Sequence, residues 1–288
     1  MSPSVFRKAG TVKKAIDAAA VVDIKPPTEA PPQPEPVSKP RADFETPVFA
    51  IAKPKAASVH TNILFYAKPG TGKTVLSGSA AEDPRSSPVL FMDAEAGTLS
   101  LAGKPNIDVV RIVNFASDVG AVYEYLARGN HPYKTVVIDS LTEMQKLSMM
   151  DIMSQLVAIK PDRDQDIPSL QEWGKNIEQI RKFVRYFRDL PMHCIFTCLE
   201  MESKDESTGS ITVLPSLSGK LAMEVSGFVD VVGRLYTSPV TGADGKAAIE
   251  RRLLVQPAGK YVAKDRSGKL GLELVNPTFK AILDGINS

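Results

Sequence analysis

Cysteine is scarce, net charge is nearly zero and no long apolar run is present, and each absence narrows what the chain can be. The 288 residues include 2 cysteines, Cys194 and Cys198. They lie four apart in one apolar run, a spacing that puts both on one face of a strand. His193 is the one other ligand type close by, too few for a metal site. Buried free thiols in a reducing compartment are therefore expected. The formal charge of +2 neither demands nucleic acid nor excludes it, because a binding groove needs local charge only. No segment approaches a membrane span, and the N-terminus lacks the core of a signal peptide. These readings predict a cytoplasmic protein with no membrane partner. No internal repeat is found. What is present is ordinary globular composition, 43% hydrophobic and 24% charged, at a length that suits one α/β domain with appendages.

Two regions differ in character. Residues Lys25 to Pro40, KPPTEAPPQPEPVSKP, are rich in proline and nearly free of large apolar groups. Such a stretch buries too little surface to offset its ordering entropy and reads as an extended linker. Ahead of it, Thr11 to Val22 could form a short helix. Residues 1–58 are thus expected to be a disordered Pro-rich tail with a possible oligomerisation segment, and 59–288 to be the folded domain. Short apolar runs predict strands at Asn62–Tyr66, Val89–Met92, Val109–Val113, Thr135–Ile138 and His193–Thr197. Helices are expected at Ala116–Arg128, capped by Ser117 or Asp118, and at Ser169–Arg188 with a core stripe of Ile177, Ile180, Val184 and Phe187. This alternation predicts an α/β fold, a mainly parallel sheet flanked by helices. Shorter strands follow at Ile211–Leu214, Phe228–Leu235 and Ile249–Val255. Pro277 is expected to open a last helix capped by Asn276.

The first strand runs into Ala67-Lys68-Pro69-Gly70-Thr71-Gly72-Lys73-Thr74. A glycine-rich loop between strand and helix cradles phosphates with its backbone N–H groups. In this pattern Lys73 reaches the β- and γ-phosphates of ATP, and the Thr74 hydroxyl binds Mg²⁺. Ala67 stands where the stricter pattern has glycine; the looser form of the motif accepts it. Asp139 ends the apolar strand TVVI, at the sheet edge where ligands of open α/β sheets bind, and is the expected carboxylate for Mg²⁺. Glu95, at the end of Leu90-Phe91-Met92-Asp93-Ala94-Glu95, is the candidate for activating water. Glu143, four residues after Asp139, competes for that role. Thr197 could sense the γ-phosphate through its hydroxyl.

The Asp-Ala-Glu strand end and the VVIDS strand end resemble the bacterial recombinase RecA, which implies a RecA-like P-loop NTPase core in which the glutamate polarises the attacking water. The phrases YAKPGTGKT, VLFMDAEAG, TVVIDSLTEM, LQEWGKNIEQIRKFVRYFRDLP, LSGKLAMEVSGFVDVVGRLY and AKDRSG together resemble the phage-encoded short RecA-like proteins of the Sak-four single-strand annealing group, over roughly Val59 to Ile286. The resemblance implies an ATPase of phage recombination in the host cytoplasm. Such a protein binds single-stranded DNA, promotes its annealing or pairing, assembles with itself as a ring or filament, and works beside a single-strand-binding protein. The alternatives are a hexameric DNA helicase or helicase loader, and a nucleotide-switched scaffold without a DNA role. AKDRSGKLG is also similar to the Lys-x-Arg segment of DnaB-type replicative helicases. That likeness implies that Lys264 and Arg266 reach a neighbour's ATP.

Two loops, Ile159–Ser169 and Glu200–Gly219, follow strands four and five, where RecA-like proteins expose DNA-binding loops. Lys160, Arg163, Lys204 and Lys220 supply positive charge there. Arg181, Lys182, Arg185 and Arg188 are expected on a solvated helix face. Phe49-Ala50-Ile51-Ala52 resembles the Phe-x-x-Ala element by which eukaryotic and archaeal RecA-like recombinases dock onto a neighbour. Phe6 to Ala9 has the same spacing.

Overall fold

The structure, a computed structural model, describes residues 60–241 and 246–288. These residues form one compact unit. The expected tail, its short helix, the Pro-rich stretch and both Phe-x-x-Ala elements lie outside the described residues.

Six strands form the parallel centre of the sheet: β1 (Asn62–Ala67), β2 (Val89–Asp93), β3 (Ile107–Arg111), β4 (Thr135–Asp139), β5 (His193–Lys204) and, after the short antiparallel β6 (Ile211–Pro215), β7 (Val231–Thr241). Their order across the sheet is β7-β1-β5-β4-β2-β3. On the β7 side the sheet continues antiparallel through β8 (Ala247–Leu254) and β10 (Glu273–Val275). A two-residue strand, β9 (Lys264–Asp265), pairs with the start of β7. The first strands read as unbroken apolar runs because both faces of the sheet are covered. Successive residues point to opposite faces. Leu64, Met92, Val136 and Phe196 pack on one side with α2 (Phe115–Ala127), α3 (Leu141–Ile159), α4 (Leu170–Arg188) and α5 (Leu221–Phe228). Ile63, Phe91, Val137 and Ile195 pack on the other with α1 (Lys73–Gly78) and α6 (Phe279–Asn287). No helix among the described residues is long and apolar enough to cross a membrane. Cys194 and Cys198 are both buried and free, and burial pushes the Cys198 thiol up to about 12.

Several boundaries differ from expectation, each for a local reason. The third strand starts and ends two residues earlier, leaving Val113 exposed. The following helix is entered at Asn114, and Asp118 accepts the N–H groups of Val113 and Asn114 at 2.8 Å from inside its first turn. Helix α3 has no counterpart among the expected helices. Helix α4 begins as expected, with Ser169 and Glu172 forming a capping box. Glu200–Lys204 and Ile211–Pro215 are not parts of a loop; they pair as an antiparallel hairpin that extends β5 beyond the core. Phe228 belongs to α5, and β7 starts at Val231. The last helix is capped by Thr278, whose hydroxyl accepts from the Ala281 N–H at 3.1 Å. Asn276 is engaged elsewhere, in a left-handed conformation. The α4 basic face is partly tied down: Arg181 pairs with Glu178 and Glu224, and Arg185 lies over the Phe228 ring.

His193 opens β5 and is buried. Its Nδ1 accepts the Thr61 N–H at 3.0 Å, and the His60 and Phe279 rings meet it edge-on. Burial pushes its pKa down from 6.5 to about 4. The folded state therefore holds the neutral ring, while the unfolded chain takes up a proton below its ordinary value. Stability is complete above pH 6.5 and is lost as pH falls toward 4, by up to about 3 kcal/mol. Asp83, held down to about 2 by its hydrogen bonds from Arg85, begins to weigh only below its ordinary 3.8. Urea unfolding at steps between pH 7.5 and 4 should show this loss, and His193→Gln should flatten the profile in that window.

Candidate functional site

The carboxyl ends of β1, β2 and β4 bring the P-loop, Glu95 and Asp139 together. Ala67 is the last residue of β1 and is fully buried. The loop Lys68–Gly72 then turns into α1, with Gly70 at φ 74° and Gly72 at φ 105°, a left-handed backbone that favours glycine. The Thr71 hydroxyl donates to the Lys68 carbonyl at 2.6 Å and closes the loop on itself. Lys73 is 7% exposed and forms no ion pair among the described residues. A lysine sunk in a cleft without a carboxylate is costly unless an anion completes it.

Asp139 sits opposite Asp93 across the β2–β4 pair and is 3% exposed. The Thr74 hydroxyl donates to its Oδ2 at 2.7 Å, and the Thr197 hydroxyl donates to its Oδ1 at 2.5 Å. Thr197 thus positions the carboxylate, a different role from the phosphate sensing expected of it, since its hydroxyl is buried and occupied. The turn after β2 is shaped by Asp93. Its Oδ1 accepts from the N–H groups of Glu95 at 3.1 Å and Gly97 at 3.3 Å, and Arg111 pairs with it at 3.3 Å. That turn presents Glu95 to Ser140, whose hydroxyl donates to the Glu95 carboxylate. The Asp139–Ser140 peptide bond is cis. Glu143 also faces the cleft but pairs with Lys146 at 2.9 Å. The cleft holds about 670 Å³, between Gly70–Val75, the Ala94–Gly97 turn, Arg111 and Arg251.

The chemistry of this donor set fits a nucleoside triphosphate with a divalent cation. A Mg²⁺ ion is held by few protein oxygens and keeps water and phosphate as its other ligands. Thr74 and Asp139 supply oxygens of that kind, already side by side.

Lys264 and Arg266 are not brought into this cleft. They lie beside the start of β7, away from the P-loop. The Lys264 ammonium donates to the carbonyls of Ser226, Gly227 and Val229 at 3.1, 3.1 and 2.7 Å, closing the end of α5. Arg266 pairs with Asp230 at 2.7 Å and donates to the Gly227 carbonyl. To reach a neighbour's phosphates both would have to leave these partners. Three participants escaped the sequence reading. Ser140 and Arg111 carry no motif of their own. Arg251 comes from β8, and its Nε donates to the Thr71 carbonyl at 3.2 Å.

A family model described as AAA domain matches residues 60–267. None of the curated proteins matches the chain. Among solved structures, the chain is similar to the RadB recombinase, with 14% identity, 76% of this chain and 87% of that one covered, and a TM-score of 0.43. It is also similar to the flagellar accessory protein FlaH of Methanocaldococcus jannaschii, with 10% identity, 75% and 84% covered, and a TM-score of 0.38. An ATPase of a bacterial type III secretion system shares 16% identity over 61% of this chain and 51% of that one, with a TM-score of 0.40.

Thr197→Val keeps the side chain's shape but removes the donor to Asp139. The carboxylate then loses one of two partners, a change worth about 1–3 kcal/mol at a buried charged group. Nucleotide titrations should show a several-fold rise in the Mg²⁺ concentration needed for half-saturation, and an unchanged requirement would show that Thr197 does not position Asp139.

Proposed function

This chain belongs to the AAA-domain family, and we propose that it is an ATP-dependent RecA-like recombination protein that binds single-stranded DNA and promotes its annealing or pairing. The observation that carries the ATP reading is the unpaired, nearly buried Lys73 next in sequence to Thr74, whose hydroxyl already meets the Asp139 carboxylate. Lys73 and the loop N–H groups would hold the phosphates, and Asp139 with Thr74 would hold the cation. Glu95 orients the attacking water and takes its proton, and Ser140 fixes the Glu95 carboxylate between the ends of β2 and β4. Bound Mg²⁺ would supply charge neutralisation at the phosphates. Lys73→Ala should weaken ATP binding by at least about tenfold, the scale of a lost charge-assisted contact. Glu95→Gln should leave binding intact and slow turnover by about 100-fold or more. Calorimetric binding and phosphate release measured on both variants separate the two roles; equal loss of binding in both would contradict them.

The DNA reading rests on the resemblance to the Sak-four group and on what surrounds the second cleft. Met149, Met150, Met153 and Trp173 line a groove of about 670 Å³ between α3, the start of α4 and the β5–β6 hairpin. Lys146 and Asp166 also line it, Lys146 paired with Glu143 at 2.9 Å. Lys160, Lys204 and Lys220 are exposed and form no ion pairs among the described residues, whereas Arg163 is paired with Glu172 at 3.2 Å. An aromatic and sulfur surface suits stacked bases, and exposed unpaired lysines suit a phosphate backbone. The Thr142 hydroxyl joins this region to the nucleotide site. It accepts the Leu199 N–H at 3.0 Å and donates toward the Ser216 carbonyl, two residues beyond Ser140, whose hydroxyl holds Glu95. The double variant Lys160→Gln, Lys204→Gln should weaken ATP-dependent binding of oligo-dT and flatten its log–log salt dependence by about 0.7 per lost contact. Unchanged slope would remove these lysines from the interface. A native chain that binds ATP but no DNA would favour the scaffold alternative, and strand unwinding would favour the helicase.

A further inference from the structure

Arg251 is the cation in the nucleotide cleft that the roles above leave unused. Its strand, β8, is set against β7 with Arg251 opposite Thr237. Its backbone is clamped on the other side by Asn276, which accepts the Arg251 N–H at 3.1 Å and donates to the Arg251 carbonyl at 2.6 Å. From there the side chain crosses to the P-loop, where Nε donates to the Thr71 carbonyl at 3.2 Å. The approach is close enough that a Cβ on Gly72 would come within 2.8 Å of Nε. Glycine at that position therefore serves the arginine as well as the loop's left-handed turn.

The neighbouring arginines are neutralised. Arg252 is shared between Glu250 at 2.7 Å and Glu273 at 2.5 Å, and Arg111 pairs with Asp93. Arg251 has no carboxylate partner among the described residues, and its Nη groups, four N–H donors, have no protein acceptor there. An uncompensated guanidinium and an uncompensated lysine thus line one cavity. A triphosphate carries more negative charge than Lys73 alone can balance. We propose that Arg251 is a second phosphate-binding cation, supplied by the same chain as the P-loop. It meets the loop at Thr71 and Gly72 and shares no hydrogen bond with Glu95, Ser140 or Asp139. Its contribution is therefore to nucleotide affinity and not to activation of water. This inference rests on the ATP reading of the cleft.

The test compares Arg251→Ala, Arg251→Lys and Arg251→Gln with the native chain, measuring ATP and ADP affinity and the turnover at saturation. Arg251 is exposed, so truncation removes no core contact, and melting curves check that each variant folds. Alanine should weaken both nucleotides by about 10- to 100-fold, the scale of a charge-assisted contact, and this loss of affinity should exceed any fall in saturated turnover. Lysine should recover part of the loss, since it keeps the charge without the fork. Glutamine should recover none, because it can still donate to Thr71 but carries no charge. If alanine stays within about twofold of native, or glutamine restores affinity, or turnover alone falls, the inference is overturned while the ATP reading stands. Should alanine fold poorly, the lysine–glutamine comparison decides by the same criteria. A native chain that binds neither nucleotide would overturn the reading of the cleft and this inference with it.

Discussion

A single buried carboxylate ties the architecture to the chemistry. Asp139 is nearly out of contact with solvent, and both its oxygens are met by hydroxyls, Thr74 from the helix after the P-loop and Thr197 from β5. A buried charge without such partners would be strongly destabilising. The strand order supplies them. Because β5 lies between β1 and β4, Thr197 and the P-loop converge on the end of β4 from one side. On the other side β2 lies in register, Asp93 opposite Asp139, and its turn carries Glu95 to Ser140. Slipping any of these strands by one residue would turn its side chains to the opposite face and dismantle the constellation. The register of the sheet is therefore also the geometry of the site.

Much of this was legible, and the reasons are physical. A buried parallel strand must be apolar on both faces, so four- and five-residue runs such as VLFM and TVVI announce themselves, and the polar residue that ends each run marks the sheet edge. The P-loop is legible because its glycines answer a backbone demand that few sequences satisfy. Helix α3 was not legible because its buried face contains Gln145 and Ser148 among Met144, Ile152 and Met153. Those polar groups are acceptable inside because other elements satisfy them: Asn176 of α4 bonds to both, at 3.0 Å each, and takes up the Gln145 carbonyl, Ser148 donates to Gln179 at 2.7 Å, and Gln145 accepts the Ser218 N–H at 3.0 Å. A pattern read along one helix cannot show a partner supplied by another. Thr197 has the same character: a threonine inside an apolar run gives no hint that it faces a carboxylate from the next strand.

The basic residues show most clearly how far local pattern carries. Lys264 and Arg266 have the spacing of a cation pair directed at phosphate, and an extended segment does put both on one face. In the fold that face looks onto the end of α5, where three carbonyls left over by the helix need donors, and Lys264 satisfies them. Burial there holds the Lys264 pKa below its ordinary value, with Arg266 nearby adding to the effect. The three carbonyl bonds commit this cation to its own chain. Arg251 has no motif, and its neighbour Arg252 is indistinguishable from it in sequence. Alternation along β8 separates them: one side chain meets Glu250 and Glu273, and the other crosses to the P-loop, where no carboxylate awaits it. What marks a cation for a ligand is the absence of a protein anion within reach, a property that appears only after the strands are laid side by side.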